Sequence, residues 1–191
     1  MMIDNRLSKN IHYTLRIASA MCFIGHGSFG IIGKAVWCNY FAVFGINTHF
    51  SYQLMPFVGG IDILLGLILL FYPLRAVLLW LVIWGCITAL LRPLSGEPFA
   101  EFIERAGNFG APLALLIAGR FPKNIKQAFS PVHPSGGLTV MSGSRVFSCL
   151  RVVVFLLLAG HGWLNIIEKK GLVDQYVALG FSNGGEVAHI A

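Results

Sequence analysis

The chain has 191 residues, of which 56% are hydrophobic and 12% are charged, and its net charge is +6. Its mean hydropathy is +0.74. So few charges cannot cover a water-soluble domain of this size, which excludes that class and predicts an all-α, polytopic membrane protein in contact with the lipid bilayer. The Lys and Arg residues stand between apolar runs, a pattern typical of loops that face anionic lipid, so no nucleic-acid partner is predicted.

Five apolar stretches predict membrane-spanning helices, because about 20 residues at 1.5 Å each cross roughly 30 Å of hydrocarbon. Four of them cover about residues 13–33, 54–71, 76–91 and 147–167. The remaining one is short, comes fourth in the chain and ends near residue 119. We expect interfacial helices near 35–46 and 97–106, a polar loop at 120–146 and a tail at 182–191. The distribution of Lys and Arg places the N-terminus and this loop in the cytoplasm and the C-terminus outside.

An internal repeat organises the chain. Residues 15–46 align without a gap on residues 150–181, and the triplet Gly25-His26-Gly27 falls on Gly160-His161-Gly162. Residues 147–181 are therefore interpreted as a fifth span and interfacial segment that repeat residues 12–46, after a first unit of residues 1–119. The first and fifth spans run in the same direction, which predicts a parallel repeat with both histidines at the same depth.

Asp62 is the only charged residue in the second span, and it shares a helix face with Gly59 and Gly66. A carboxylate at mid-membrane costs roughly 2.5 to 3.5 kcal/mol, so Asp62 is expected to face the bundle and to have a partner. His26 is favoured over Arg16, because Arg16 lies roughly 15 Å along the first helix from His26. Proton or quinone-headgroup contact and a structural ion pair both remain open for Asp62.

His26 and His161 are the other candidate site residues. They are compatible with helix packing, with a quinone or proton-transfer role, or with axial ligation of a b-type haem or another pigment. The sequence contains no zinc-type Cys/His spacing, and a metal site is not predicted. Asp62 and His26 are the candidates for any catalytic role.

Three glutamates, Glu97, Glu101 and Glu104, align at helical spacing after Pro98 begins a new helix. Such spacing is typical of a solvated helix face, and Arg105 follows Glu101 by four residues as in an ordinary surface ion pair. We therefore expect these carboxylates to be exposed.

The first unit resembles the DoxX-like family of small four-helix membrane proteins. The resemblance rests on Arg16, His26-Gly27, Asp62 among glycines, and the stretch from Glu104 to Pro112, and it covers about residues 13–119. It implies a membrane-embedded four-helix bundle, associated in some members with quinone-linked sulfur or thiol oxidation. Two features depart from the family pattern: the acidic residue is Asp rather than Glu, and the second unit stops after one span.

Three functions are compatible with these features. The first is a structural or accessory subunit of a larger complex in the bacterial inner membrane, without catalysis of its own. The second is a quinone-linked redox protein that uses Asp62 and His26, with Arg16 and His161 as further headgroup contacts. The third is a small-solute transporter. In each case, the fifth span is expected to dock onto the four-helix unit, onto another subunit or onto a second copy.

Overall fold

The computed structural model describes residues 4–134 and 139–181. The predicted tail at 182–191 lies outside the described residues. Within the described ranges the chain forms no β-strand, and an isolated bridge joins Leu74 to Pro131. The helices are α1 (Asn5–Ile31), α2 (Trp37–Ala42), α3 (Thr48–Phe71), α4 (Arg75–Leu94), α5 (Ala100–Glu104), α6 (Ala106–Gly119), α7 (Ile125–Ala128), α8 (Val140–Ile166) and α9 (Lys170–Ala178).

Three of the described helices, α3, α4 and α8, are long and apolar enough to cross a membrane. Helix α1 matches α8 in length at 27 residues, but Arg16, His26 and several Ser and Gly residues make it more polar. Helix α6 has only 14 residues, about 21 Å. The all-helical fold is thus confirmed for the described residues, with three candidate membrane spans, while the five-span topology and its orientation stay predictions.

Helices α1 and α3 run antiparallel and approach each other through glycines. A Cβ atom added to Gly27 would lie 2.5 Å from the carbonyl oxygen of Gly59, and one added to Gly66 would lie 3.0 Å from that of Ala20. Such contacts leave no room for a side chain. The predicted small-residue face at Gly59 and Gly66 is therefore the surface on which α1 packs.

Helix α8 docks onto the side of the bundle formed by α5 and α6. Gly160 lies against the backbone of Glu104 and Ala100, and Gly110 of α6 lies against the side chain of Val153. The fifth predicted span therefore packs on the first unit. Only 11% of its apolar stretch is buried inside the protein, against 28% for α3.

The two copies of the repeat close their helices with the same backbone pattern. Gly33 and Glu168, which are equivalent positions, both have positive φ angles, 67° and 50°. The following amides bond back in the same way: Lys34 donates to the carbonyl of Phe29 and Lys169 to that of Leu164, each at 3.0 Å. This is the left-handed helix end that glycine favours, and here Glu168 adopts it as well. The sequence repeat is thus matched by a repeat in local structure.

At the opposite end of the bundle, Arg75 fastens the loop that follows α6. Its guanidinium donates to the carbonyl oxygens of Gly119, Ser130 and Pro131, at 2.8, 3.0 and 2.9 Å. The amide of Val132 donates to the carbonyl of Pro73 at 2.8 Å. These bonds hold the loop against the end of the bundle where α1 begins.

Candidate functional site: a buried carboxylate beside an aromatic cavity

Asp62 and His26 form a hydrogen-bonded pair between α3 and α1. Nδ1 of His26 lies 3.0 Å from Oδ2 of Asp62, and the Asp62 side chain is 1% exposed. The other carboxylate oxygen accepts a hydrogen bond of 2.8 Å from Nε1 of Trp84 on α4. The pairing predicted from the sequence is confirmed, and both oxygens of the buried carboxylate have a donor, as a buried charge requires.

The glycines explain why the pair forms at this place. Asp62 lies almost one helical turn after Gly59 and before Gly66, on the face where α1 comes closest. His26 directly precedes Gly27, which contacts the backbone of Gly59. The close approach of the two helices therefore brings the imidazole to the carboxylate without an extended side chain.

An aromatic cavity lies beside this pair. Its cavity volume is about 80 Å³, which is room for several water molecules. Trp37 packs on the His26 ring with centroids 4.9 Å apart, and Trp84 stacks on Trp80 outside the cavity. The lining residues include His26, Trp37, Tyr40, Phe41, Phe44, Val58, Trp84, Thr88, Arg92, Arg105 and Asn108.

Several polar atoms on lining residues have no hydrogen-bond partner among the described residues. Two of them are Nε2 of His26 and the amide nitrogen of Asn108, whose oxygen accepts from the Cys22 thiol at 3.4 Å. Thr88 is different, because its hydroxyl donates to the carbonyl of Trp84 at 3.0 Å. His26 and Asn108 thus offer the cavity two unused polar groups in a mainly apolar wall.

The tautomer of His26 determines what its free nitrogen can bind. When neutral His26 donates Nδ1–H to Asp62, Nε2 is an acceptor for a ligand hydroxyl. When the ring is protonated, Nε2–H is a donor for a ligand carbonyl, and the Asp62 carboxylate stabilises the positive charge. The pair can therefore hold a proton beside the cavity and release it there.

A charge cluster closes the end of the bundle beyond the cavity. Glu101 is 0% exposed and pairs with Arg92 at 3.4 Å, with Arg105, and with Lys169 at the start of α9. The expectation that Glu101 lies on a solvated helix face is wrong, because α5 packs against α4 and α8 and Lys169 of the second repeat copy pairs with the Glu101 carboxylate. Its bond with Arg105 is consequently a buried pair rather than a surface one.

Glu97 belongs to the same cluster. It accepts a hydrogen bond of 2.7 Å from the Tyr40 hydroxyl and pairs with Arg92 at 3.1 Å. Burial alone raises the pKa of Glu97, but the Tyr40 hydrogen bond and the charge of Arg92 outweigh it and lower the pKa. Burial and the bond to Glu97 raise the pKa of Tyr40, and burial lowers the pKa of Lys169.

The other predicted site residues lie apart from the cavity. Nδ1 of His161 meets Glu104 at 2.8 Å, and Nε of Arg16 donates to the carbonyl of Leu69 at 3.1 Å. His161 does not line the cavity that His26 borders. A haem held by both histidines therefore has no shared space here, and the described residues contain no group of three metal-ligating side chains.

Several contributors were missed at the sequence level. Trp84 shares a helix face with Thr88 and Arg92, and all three line the cavity. That face was the available signal. Tyr40, Asn108 and Lys169 gave no comparable signal, because each reaches its partner across a separation of more than fifty residues in the chain.

Comparison with known proteins finds no match for the chain. No family model, no curated protein and no solved structure matches it. The functional argument therefore depends on the geometry of the site.

Proposed function

We propose that this chain is a DoxX-like integral membrane protein that binds a quinone headgroup in the aromatic cavity beside His26 and Asp62. The observation that carries the proposal is the hydrogen bond between His26 and the buried Asp62, together with an aromatic cavity that His26 lines. A quinone needs a flat apolar slot, hydrogen-bonding groups for its oxygens and access from the bilayer. A bound quinone supplies two-electron, two-proton carbonyl chemistry.

The wall of the cavity fits such a headgroup. Trp37, Trp84 and Tyr40 offer ring surfaces for stacking against a planar ligand. Phe44, which is 63% exposed, borders the cavity and gives it an apolar edge toward the surroundings of the bundle. A hydrophobic tail can leave the cavity along this edge into lipid.

The polar groups fit the two oxygens of the ring. Nε2 of His26 and the amide nitrogen of Asn108 are both unused, and both residues line the cavity. Neutral His26 accepts a hydroxyl proton from the reduced form, and protonated His26 donates to a carbonyl of the oxidised form. Asp62 acts as a positioning residue, because it orients the imidazole through Nδ1 and stabilises its charged form.

Binding is tested by fluorescence, because two of the tryptophans line the cavity. A short-chain benzoquinone added to protein in mild detergent should quench Trp37 and Trp84 in a saturable manner. We expect His26→Phe to weaken the apparent affinity by about tenfold or more, equivalent to the loss of a buried hydrogen bond. His161→Phe is the matched control in the second repeat copy and should leave the affinity unchanged. Equal affinity in wild type and His26→Phe would falsify the proposal.

A second function, an accessory subunit of a larger membrane complex, is supported by helix α8. Only 11% of its apolar stretch is buried in the protein, so most of it is available to lipid or to a neighbouring subunit. Isolation from a native membrane in mild detergent, followed by native mass measurement, separates these cases. A stoichiometric membrane partner supports the accessory role, and a lone chain that retains quinone supports the first proposal alone.

A further inference from the structure

One face of α1 carries polar side chains among its buried apolar residues Leu15 and Phe23. His12, Ser19 and His26 follow one another at intervals of seven residues and therefore share a helix face. His12 is 4% exposed and Ser19 is 0% exposed. Between Ser19 and His26, the Cys22 thiol bonds to Asn108 at the cavity. An apolar helix face would pack at least as well, so this polar line needs an explanation other than packing.

Two fully buried side-chain atoms on this line have no hydrogen-bond partner within the described part of the chain. They are Nε2 of His12 and Oγ of Ser19. Among the described residues, the remaining buried side-chain atom without a hydrogen-bond partner is Oε1 of Glu101, which faces the ammonium group of Lys169. A buried polar atom without a partner costs about 1–3 kcal/mol. Such atoms mark positions where buried water binds or where a functional group is held ready.

Both ends of the line reach polar surroundings. His12 interacts electrostatically with Arg16 and with His133, and His133 is an exposed residue of the loop that Arg75 fastens. At the other end, the cavity shares Arg92 and Arg105 with a wider polar chamber of about 610 Å³, which Glu97 and Lys169 also line.

Six of the charges at this chamber form ion pairs with one another. Arg92, Arg105 and Lys169 are matched by Glu97, Glu101 and Glu104. This cluster itself carries no net charge, and Lys34, which also lines the chamber, adds one positive charge there.

We propose that these groups form a proton path through the bundle, from His133 and His12 past Ser19 to the His26–Asp62 pair and on through the cavity to the chamber beyond Arg92. His12 and Ser19 are separated by seven residues, about 10 Å along the helix, as are Ser19 and His26. Each interval therefore requires two or three bridging waters, which the free atoms of His12 and Ser19 hold in place.

The transfer moves only protons. Burial and the charges of Arg16 and His133 lower the pKa of His12 to about 4. Nε2 of His12 therefore holds a proton only transiently, as the proton passes from the side of His133 to waters at Ser19 and on to the His26–Asp62 pair. Nε2 of His26 then releases it into the cavity, from which it reaches the chamber lined by Glu97. No bond between heavy atoms forms or breaks. The path shares His26 and Asp62 with the proposed quinone site, but it does not depend on quinone.

Proton flux into liposomes tests this path. The protein is reconstituted into quinone-free vesicles that contain a pH-sensitive dye, and a potassium gradient with valinomycin drives the flux. We expect the wild type to exceed protein-free vesicles several-fold. Ser19→Leu should return the rate to that of protein-free vesicles, because the added side chain displaces the water. Ala18→Leu adds a similar bulk at the neighbouring, exposed position of α1 and should keep the wild-type rate.

Ser19→Ala is the second variant, because Ser19→Leu also crowds a buried position. It removes the hydroxyl without adding bulk, and we expect it to lower the flux several-fold. The path is overturned if wild-type vesicles conduct no faster than protein-free ones, or if Ser19→Ala conducts like wild type. Benzoquinone binding, measured by tryptophan quenching, should be retained in Ser19→Ala, so the failure of one proposal is distinguishable from the failure of the other.

Discussion

The two Gly-His-Gly triplets are identical in sequence but pack through different glycines. In the first copy Gly27 contacts a neighbouring helix and Gly25 contacts nothing within 4 Å. In the second copy the order is reversed, because Gly160 is in contact and Gly162 is not. Two residues correspond to about 200° around a helix, so α1 and α8 present nearly opposite faces to the bundle.

The histidine between the glycines meets an acid in both copies. It lies about 100° from each glycine around the helix, so it can reach a neighbour whichever glycine is in contact. His26 pairs with Asp62 at 3.0 Å and His161 with Glu104 at 2.8 Å. The comparison teaches that the triplet fixes a close helix contact with an imidazole beside it, and leaves the choice of partner to the rest of the chain.

The acids differ in burial, and this predicts the largest difference between the copies. Asp62 is 1% exposed, whereas Glu104 is 22% exposed and its histidine is 46% exposed. Removing a buried ion-pair partner costs about 3 kcal/mol or more, and removing an exposed one costs at most about 1 kcal/mol. We expect Asp62→Ala to lower the melting temperature in detergent far more than Glu104→Ala does. Equal effects would show that the two pairs are energetically equivalent.

Alanine substitution of the glycines tests the reversal of contacts. Gly27→Ala places a Cβ against the backbone of α3, and overpacking of this kind costs about 1–3 kcal/mol. Gly25→Ala meets open space and serves as its control. In the second copy Gly160→Ala should destabilise the protein and Gly162→Ala should not. If the sensitive glycine occupies the same place in both triplets, the opposite-face arrangement is wrong.

The smallest expected effect concerns the end of the bundle where the two copies meet. The pKa of Glu97 is lowered below its ordinary value of 4.5 in the folded protein. Its contribution to stability is therefore complete above that value and is lost as the pH falls through the lower folded pKa. We expect the stability difference between wild type and Glu97→Gln to be present at neutral pH and to shrink below about pH 4. A difference that grows on acidification would contradict this assignment.

Much of the site was predictable because placing a charged side chain in an apolar span costs free energy unless the side chain has a partner. That cost, together with the glycines on its helix face, predicted that Asp62 faces inward and meets His26. The same reasoning failed for Glu101, because helical spacing reports which residues share a face but not what later covers it. Lys169, which completes that cluster, lies immediately before α9, more than sixty residues further along the chain.

The sequence by itself determined the helical membrane class, the repeat and the buried acid, since composition, periodicity and desolvation cost act locally on each segment. Only the tertiary structure decided which glycine of each triplet forms the contact, which residues enclose the cavity beside His26, and which unpartnered atoms mark the line from His12 to Asp62. These features depend on the rotation of each helix about its axis. That rotation is set by the packing of all the helices together.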